Sequence, residues 1–355
     1  MAGRAAVGLD IGTSGVRAAE LSFGKGPASL ERFGQVALPL GAVRDGEVVD
    51  ADAVAAAVRQ LWSQGKFTNK KVVVGVANQR VIVRQVDLPW LPLDELRKSL
   101  EFQVQDFIPM PVDQAILDVH PLEEFTNESG GRMLRVLLVA AARDMVNSML
   151  EAVSKAGLEA TMVDLTPFAL LRAMVQQDHL GLSGSAEALV EVGSSVTNIV
   201  VHQGGVPRFV RILLMGGAHL TDSVAERMGV PAEQAEMVKQ QMGMPAQPGM
   251  PLGDHPAARV LESTGASFVD EVRGSLDYYL AAQQSVPISR IVVTGGGGRL
   301  NGLAQRLSTA TRLPVEYGNA LASLHLGKTG LSPEQLNHVA PLAAVPVGLA
   351  LGVAS

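Results

Sequence analysis

Three short glycine-rich turns, each ending an apolar run, constrain this chain more than anything else in it. They are Asp10-Ile11-Gly12-Thr13-Ser14-Gly15, Glu191-Val192-Gly193-Ser194-Ser195 and Thr294-Gly295-Gly296-Gly297-Gly298. Glycine lets a backbone approach an anion closely, and successive N–H groups in such a turn form an anion-binding nest. Two such turns, each opened by an acidic residue, can grip a phosphate chain and its metal from opposite sides. The third ends a strand (Ile291-Val292-Val293) and suits a nucleoside lying over bare backbone. Consecutive glycines there cost backbone entropy, and packing alone seldom explains them.

The turns assign roles to residues. Asp10 and Glu191 are the metal candidates, for magnesium held through water because that ion dehydrates reluctantly, and the candidates for any catalytic role. Gly12, Thr13, Ser14 and Gly15 offer N–H groups and hydroxyls to phosphates, and Arg17 adds positive charge. Gly193, Ser194, Ser195 and Val196 repeat the grip from the other half. An ordinary hairpin turn is the competing reading of either turn alone. Glu236 and Lys239, three apart on a helix, face the same way. They can meet ribose hydroxyls and an adenine edge, or form a solvated ion pair.

Composition excludes several classes. A length of 355 residues allows two or more domains, and 47% hydrophobic with 18% charged residues fits a globular protein. The net charge of −6, without long runs, argues against nucleic acid as a partner, and the lack of cysteine removes disulfides and thiolate metal sites. The histidines show no metal-ligand spacing, and neither a G-x-S-x-G nor a Walker-type motif occurs. The apolar tail from Val339 contains Pro341 and Pro346 and reads as a buried final helix rather than a membrane span.

Along the chain, 5–10 and 15–23 read as a hairpin around the first turn. Asp52 to Trp62 reads as a helix with Ala53, Ala56, Ala57, Val58 and Leu61 on one side, and Lys71 to Ala77 as a buried strand. A separate block then runs over 83–160. It has a strand 81–86, a helix from Leu93 to Ile108 burying Leu93, Leu96, Leu100, Val104 and Phe107, and a strand pair, 116–120 and 132–142. A helix capped by Asp144 and stopped by Gly157 closes the block. After a helix 166–175, the stretch 181–185 reads as a hinge. The second half holds strands 187–192, 196–202 and 207–213, helices 218–228, 231–241 and 257–284, a Pro/Gly loop 243–256, strand 288–294 and helix 299–311. The halves echo each other.

In order and type, the three turns resemble the phosphate-1, phosphate-2 and adenosine motifs of the actin, Hsp70 and sugar-kinase superfamily. Val163 to Ala169 sits where that superfamily has its first connecting helix. Within it the chain resembles the PilM family of type IV pilus assembly proteins. The matching stretches are Gly8 to Ser14, Phe107-Ile108-Pro109-Met110-Pro111, Ser195-Val196-Thr197-Asn198, Met215-Gly216-Gly217 and Gly348-Leu349-Ala350-Leu351. The resemblance implies an α/β, actin-like (ribonuclease H-like) two-lobed fold. Its subdomains would be 1A (1–82, 161–185 and 325–355), 1C (83–160), 2A (186–215 and 258–324) and 2B (216–257).

The same resemblance implies ATP and Mg2+ between the lobes, with Gly216, Gly217, Gly295, Gly296, Gly297 and Arg299 joining the turns, Glu236 and Lys239 in nucleotide binding. It implies a cytoplasmic protein recruited peripherally to the membrane through a short N-terminal peptide of PilN in a 1A/1C groove, contact with other pilus inner-membrane components, and possible self-association. Relatives usually carry Asp where this chain has Glu191, which implies ATP hydrolysis that is very slow or absent. An FtsA-like division protein and a small-molecule kinase on the same fold are the alternatives. No Lys or Arg follows Lys328, so the basic amphipathic anchor usual in FtsA is missing.

Overall fold

The computed structural model describes residues 4–175, 184–245, 253–282 and 285–353. The chain begins with β1 (Arg4–Ile11), β2 (Gly15–Phe23), β3 (Ser29–Ala37), the short pair β4 (Val43–Arg44) and β5 (Glu47–Val48), α1 (Ala51–Gly65) and β6 (Lys71–Val76). Next come β7 (Val81–Pro89), α2 (Leu93–Gln103), β8 (Ala115–Thr126), β9 (Arg132–Ala142), α3 (Arg143–Lys155), β10 (Glu159–Leu165) and α4 (Thr166–Met174). The second half holds β11 (Ala186–Val192), β12 (Thr197–Gln203), β13 (Val206–Leu213), α5 (Gly217–Met228), α6 (Ala232–Met242) and α7 (Ala258–Leu280). It ends with β14 (Ile288–Thr294), α8 (Leu303–Thr311), β15 (Val315–Tyr317), β16 (His325–Leu326), α9 (Pro333–Val339) and α10 (Ala344–Leu351).

Two sheets carry the echo between the halves. The first runs β10-β6-β1-β2-β3-β16 and the second β13-β12-β11-β14-β15. In each, an antiparallel meander (β1-β2-β3, β11-β12-β13) is extended by two parallel strands on the side of its first strand. Both central hairpins therefore aim their turns the same way relative to their own sheet. The third sheet, β7-β9-β8, is wholly antiparallel and carries α2 on one face around Leu96, Leu100, Val136 and Leu138. Its other face reaches α4, where the His120 and Phe168 rings lie 5.5 Å apart.

The apolar tail folds as expected: Ala344 to Ala350 are buried, and α10 lies on β1, β2, β6 and α4. Backbones touch there, since a β-carbon on Gly348 would meet the Ala169 carbonyl oxygen and one on Gly8 that of Pro346. Among the described residues no helix is long and apolar enough to cross a membrane.

Several local expectations are corrected. α1 is capped by Asp50, which accepts from Asp52 N and Ala53 N at 3.1 and 2.9 Å, and its inner face is Val54, Ala55, Ala57, Val58 and Leu61 while Ala56 is exposed. α2 stops at Gln103, because Pro109 holds Ile108 in an extended conformation and the chain between makes only a 3-10 turn, Gln105–Phe107. Leu93 and Phe107 consequently stay 40% and 37% exposed rather than joining the core. Asp144 is not a cap; it lies in the first turn of α3 and pairs with Arg80. α8 starts at Leu303, preceded by a 3-10 turn at Gly297–Arg299. β8 is longer than the strand read from sequence, with a bulge between Pro121 and Glu123.

The most consequential difference is α3. Its Met145, Val146, Met149, Ala152 and Val153 join the core of the first sheet, against α1, although α3 falls inside the 83–160 block. Residues 181–183 of the hinge read at 181–185, and 246–252 of the loop read at 243–256, lie outside the described residues.

Candidate nucleotide and metal site

Each central hairpin builds its turn in the same way. Gly12 N–H donates to Gly15 O at 3.0 Å, and Gly193 N–H donates to Val196 O at 2.9 Å. The amides of Thr13, Ser14, Ser194 and Ser195 make no hydrogen bond among the described residues, so both nests keep free donors. Strand register then fixes what faces each acid. Asp10 lies opposite Arg17, and Glu191 lies opposite Asn198. Arg17 Nη1 stands 3.3 Å from Asp10 Oδ2, with Nη2 reaching Ser14 Oγ at 3.5 Å, whereas Asn198 Nδ2 donates to Glu191 Oε2 at 2.8 Å.

The two acids feel each other's charge across the lobes. Burial raises the Asp10 carboxyl, against the pull of Arg17. Burial also pushes Glu191 up to about 7, with the Asp10 charge adding to the rise and Asn198 and Arg17 opposing it. Two carboxylates thus share one guanidinium, and an added cation would relieve them. Their oxygen donors suit magnesium, and the free amides suit phosphate oxygens. Asn198 Oδ1 and Arg17 Nε are buried without a partner, which fits a polar ligand or its water at this spot. Sequence reading did not assign Asn198 a role; its place seven residues after Glu191, matching Arg17 after Asp10, is the signal that finds it.

The third turn packs directly on the second. Gly295 has φ +84, and a β-carbon there would come 2.4 Å from Val192 O and 2.7 Å from Glu191 Oε1. One on Gly297 would meet Val192 Cγ1 and Gly193 O at 2.7 and 2.8 Å. Packing therefore does explain these glycines, contrary to the sequence argument. Gly296 is different: it is exposed, has helical dihedrals, and a β-carbon would meet only Leu342 Cδ2, at 3.3 Å. Gly295 N–H and Thr294 Oγ1 both donate to Pro341 O at 3.2 Å, and Arg299 Nη1 donates to His338 O at 3.1 Å. The third turn is thereby tied to the segment leading into α10, with Arg299 part of that tie.

Gly216 and Gly217 open α5 beneath the second turn. Gly217 N–H donates to Gly193 O at 3.0 Å and Ala218 N–H to Ser194 O at 2.8 Å, while Gly216 N–H donates to His219 Nδ1 at 3.2 Å. The Gly217 and Ala218 amides serve the second turn itself, and the Gly216 amide is held within α5. Glu236 and Lys239 do pair, at 2.6 Å, but as a half-enclosed network rather than a solvated pair. Burial pushes the Glu236 carboxyl up, yet Lys239, Thr221 and Gln240 outweigh it and its pKa is lowered.

Known proteins share this fold. A family model described as "Type IV pilus assembly protein PilM" matches residues 8–353. The cell division protein FtsA of Bacillus subtilis is 26% identical over 264 residues, covering 67% of this chain and 58% of that protein's length. FtsA of Neisseria meningitidis serogroup B is 24% identical over 350 residues, covering 87% of this chain and 82% of that one. Among solved structures, the PilM-PilN type IV pilus biogenesis complex is similar with a TM-score of 0.85 and 27% identity, over 99% of this chain and 98% of that one. MreB5 of Spiroplasma citri bound to ADP shares the fold, with a TM-score of 0.53 and 13% identity over 97% and 94% of the two chains. The fold is thus that of the actin-like ATPase superfamily, two lobes each centred on a hairpin turn. From its first strand to its last helix, the chain belongs to the PilM family of type IV pilus assembly proteins.

Proposed function

We propose that this chain is an ATP-binding adaptor of the type IV pilus inner-membrane assembly complex, cytoplasmic and held at the membrane by a partner's peptide. The observation that carries the nucleotide part is the pair of like-built turns, one in each lobe, whose nests keep free amides beside a buried acid, Asp10 in one and Glu191 in the other. Free amides at 13–14 and 194–195 would receive phosphate oxygens, with Arg17 adding charge and Gly296 leaving room for the nucleoside. A magnesium ion would neutralise phosphate charge there and orient water. The chain's own residues position rather than react: Asn198 and the floor at Gly295 hold Glu191 back against the third turn. Hydrolysis that is very slow or absent follows from that placement.

The partner part of the proposal concerns a groove of about 700 Å3 between α2, the segment 110–113 and the start of α3. Phe102, Met110 and Val112 supply its apolar lining, and Glu101, Asp113 and Arg143 its rim. Arg143 Nη2 donates to Ala115 O at 2.8 Å, tying the third-sheet unit to α3 and so to the first sheet's core. The groove thus lies where 1A would meet 1C, and we assign it to the N-terminal peptide of a PilN-type membrane protein. The division of the chain into 1A, 1C, 2A and 2B is part of the same proposal, with α3 given to 1A on packing grounds. An FtsA-like division role is the second reading, favoured by the curated relatives.

The test is twofold. Thermal stabilisation by Mg-ATP, absent with ATP plus chelator, is expected of the nucleotide site. Capture by an immobilised PilN N-terminal peptide is expected of the groove; failure to be captured would remove the PilN assignment and favour the FtsA-like reading.

A further inference from the structure

Lys239 is buried between α5 and α6, and its ammonium has nothing left to give a ligand. We propose that Lys239 is a positioning residue, which fastens the start of α5, and through it the second turn, to α6. An ammonium carries three protons. Lys239 Nζ donates to Gly217 O at 3.0 Å, to Thr221 Oγ1 at 2.9 Å and to Glu236 Oε2 at 2.6 Å, and the side chain is only 8% exposed. Gly217 is the link. Its amide is bound to Gly193 O in the second turn and its carbonyl to Lys239.

Burying an ammonium is costly unless it is paired and fully hydrogen-bonded, and here it is both. Turning Nζ toward a sugar or base would give up three bonds at once, to the Gly217 carbonyl, the Thr221 hydroxyl and the Glu236 carboxylate, leaving Thr221 Oγ1 to serve Gly217 O or Glu236 and Gln240 to serve Glu236. A network satisfied at every member fixes geometry instead of reaching outward. A β-carbon on Gly217 would stand at ordinary contact distance from Nζ (3.4 Å) and from Gly193 O (3.7 Å), so the lysine and the turn close on the same residue from two sides. Glu236, 38% exposed at its side chain, keeps a face for ligand; Lys239 does not.

The test uses the full chain without nucleotide, and Lys239→Met, which keeps the stem and removes the charge. Amide hydrogen exchange at Gly217 and Ala218 is expected to quicken by roughly tenfold or more, the effect of losing charged hydrogen bonds, while Leu189 in the middle of β11 keeps its wild-type rate. Thr221→Val, which removes one acceptor and leaves the ion pair, should give the same local pattern more weakly and guards against a Lys239 variant that folds poorly. Unchanged exchange at Gly217 and Ala218, or uniform acceleration in both variants, overturns the proposal. A second arm, resting on the nucleotide reading above, compares ATP with inorganic triphosphate by calorimetry in magnesium. Loss of affinity by the same factor for both supports positioning, and loss for ATP alone overturns it. If the wild-type chain binds neither, the nucleotide reading fails while the exchange arm still decides the role of Lys239.

Discussion

Glu191 Oε1 lies 2.7 Å from the point where a β-carbon on Gly295 would stand, so the glycine of the third turn makes room for the acid of the second. Asn198 holds the other carboxylate oxygen at 2.8 Å. The glutamate is therefore braced on both sides, one by an amide and one by bare backbone. Its extra methylene relative to aspartate moves the carboxylate by about 1.5 Å, a single bond length.

Glu191→Asp is expected to speed ATP hydrolysis, since misplacements near 1 Å cost roughly a hundredfold in rate. Mg-ATP affinity, shared among many backbone amides, should change little. Single-turnover hydrolysis with calorimetry checks both; a slower Asp variant contradicts the geometry.

The nucleotide-free protein should lose stability as pH rises. Glu191 stands at about 7 when folded against 4.5 ordinarily, and Asp10 is raised as well. The folded state therefore binds these protons more tightly than the unfolded chain. That contribution is complete below about 4.5 and is lost as pH climbs through about 7. The Glu191 share is at most about 3 kcal/mol. Urea midpoints between pH 5 and 8 should fall in the wild type and flatten in Glu191→Gln. Magnesium must displace the same proton, so Mg-ATP binding should weaken on acidification below about pH 7.

Adjacent glycines should behave differently. Gly296→Val brings its β-carbon to 3.3 Å from Leu342 Cδ2, the far end of a side chain that can shift, so the variant should fold and yet lose thermal stabilisation by Mg-ATP. Gly295→Ala meets Val192 O at 2.4 Å with φ +84 and should lower folding stability by about 2 kcal/mol or more, ligand or none. Differential scanning calorimetry with and without nucleotide separates the two effects. A Gly296→Val variant stabilised by ATP like the wild type would remove the nucleoside from the third turn.

Phe102, 82% exposed on α2, should be an anchor of the peptide groove. Phe102→Asp is expected to leave the melting temperature within a degree or two, since little is buried there, while lowering PilN-peptide affinity by roughly tenfold or more. Fluorescence anisotropy with a labelled peptide checks it. Unaltered affinity would place the partner elsewhere. Deleting 83–160 would be a poor test, because it would take α3 from the core of the first sheet.

The sequence by itself determined the strands that flank the glycine turns, the two like hairpins and the acids that open their turns, but not β3 or β10. Those features are local: apolar runs, glycine-rich turns and residue types seven apart are all written within a few positions of one another. Only the tertiary structure decided which residues share a neighbourhood. Asn198 braces Glu191, yet nothing in its own stretch of chain marks it except the hairpin register. Gly295 and Gly297 are glycine because Val192 and Gly193, about a hundred positions earlier, press against them. α3 leaves the block in which its sequence lies because α1 offers an apolar face to bury against. Lys239 looks like a surface lysine until Gly217, Thr221 and Glu236 close around it. Burial and close approach are properties of chain segments meeting, and a sequence states each segment without stating what it meets.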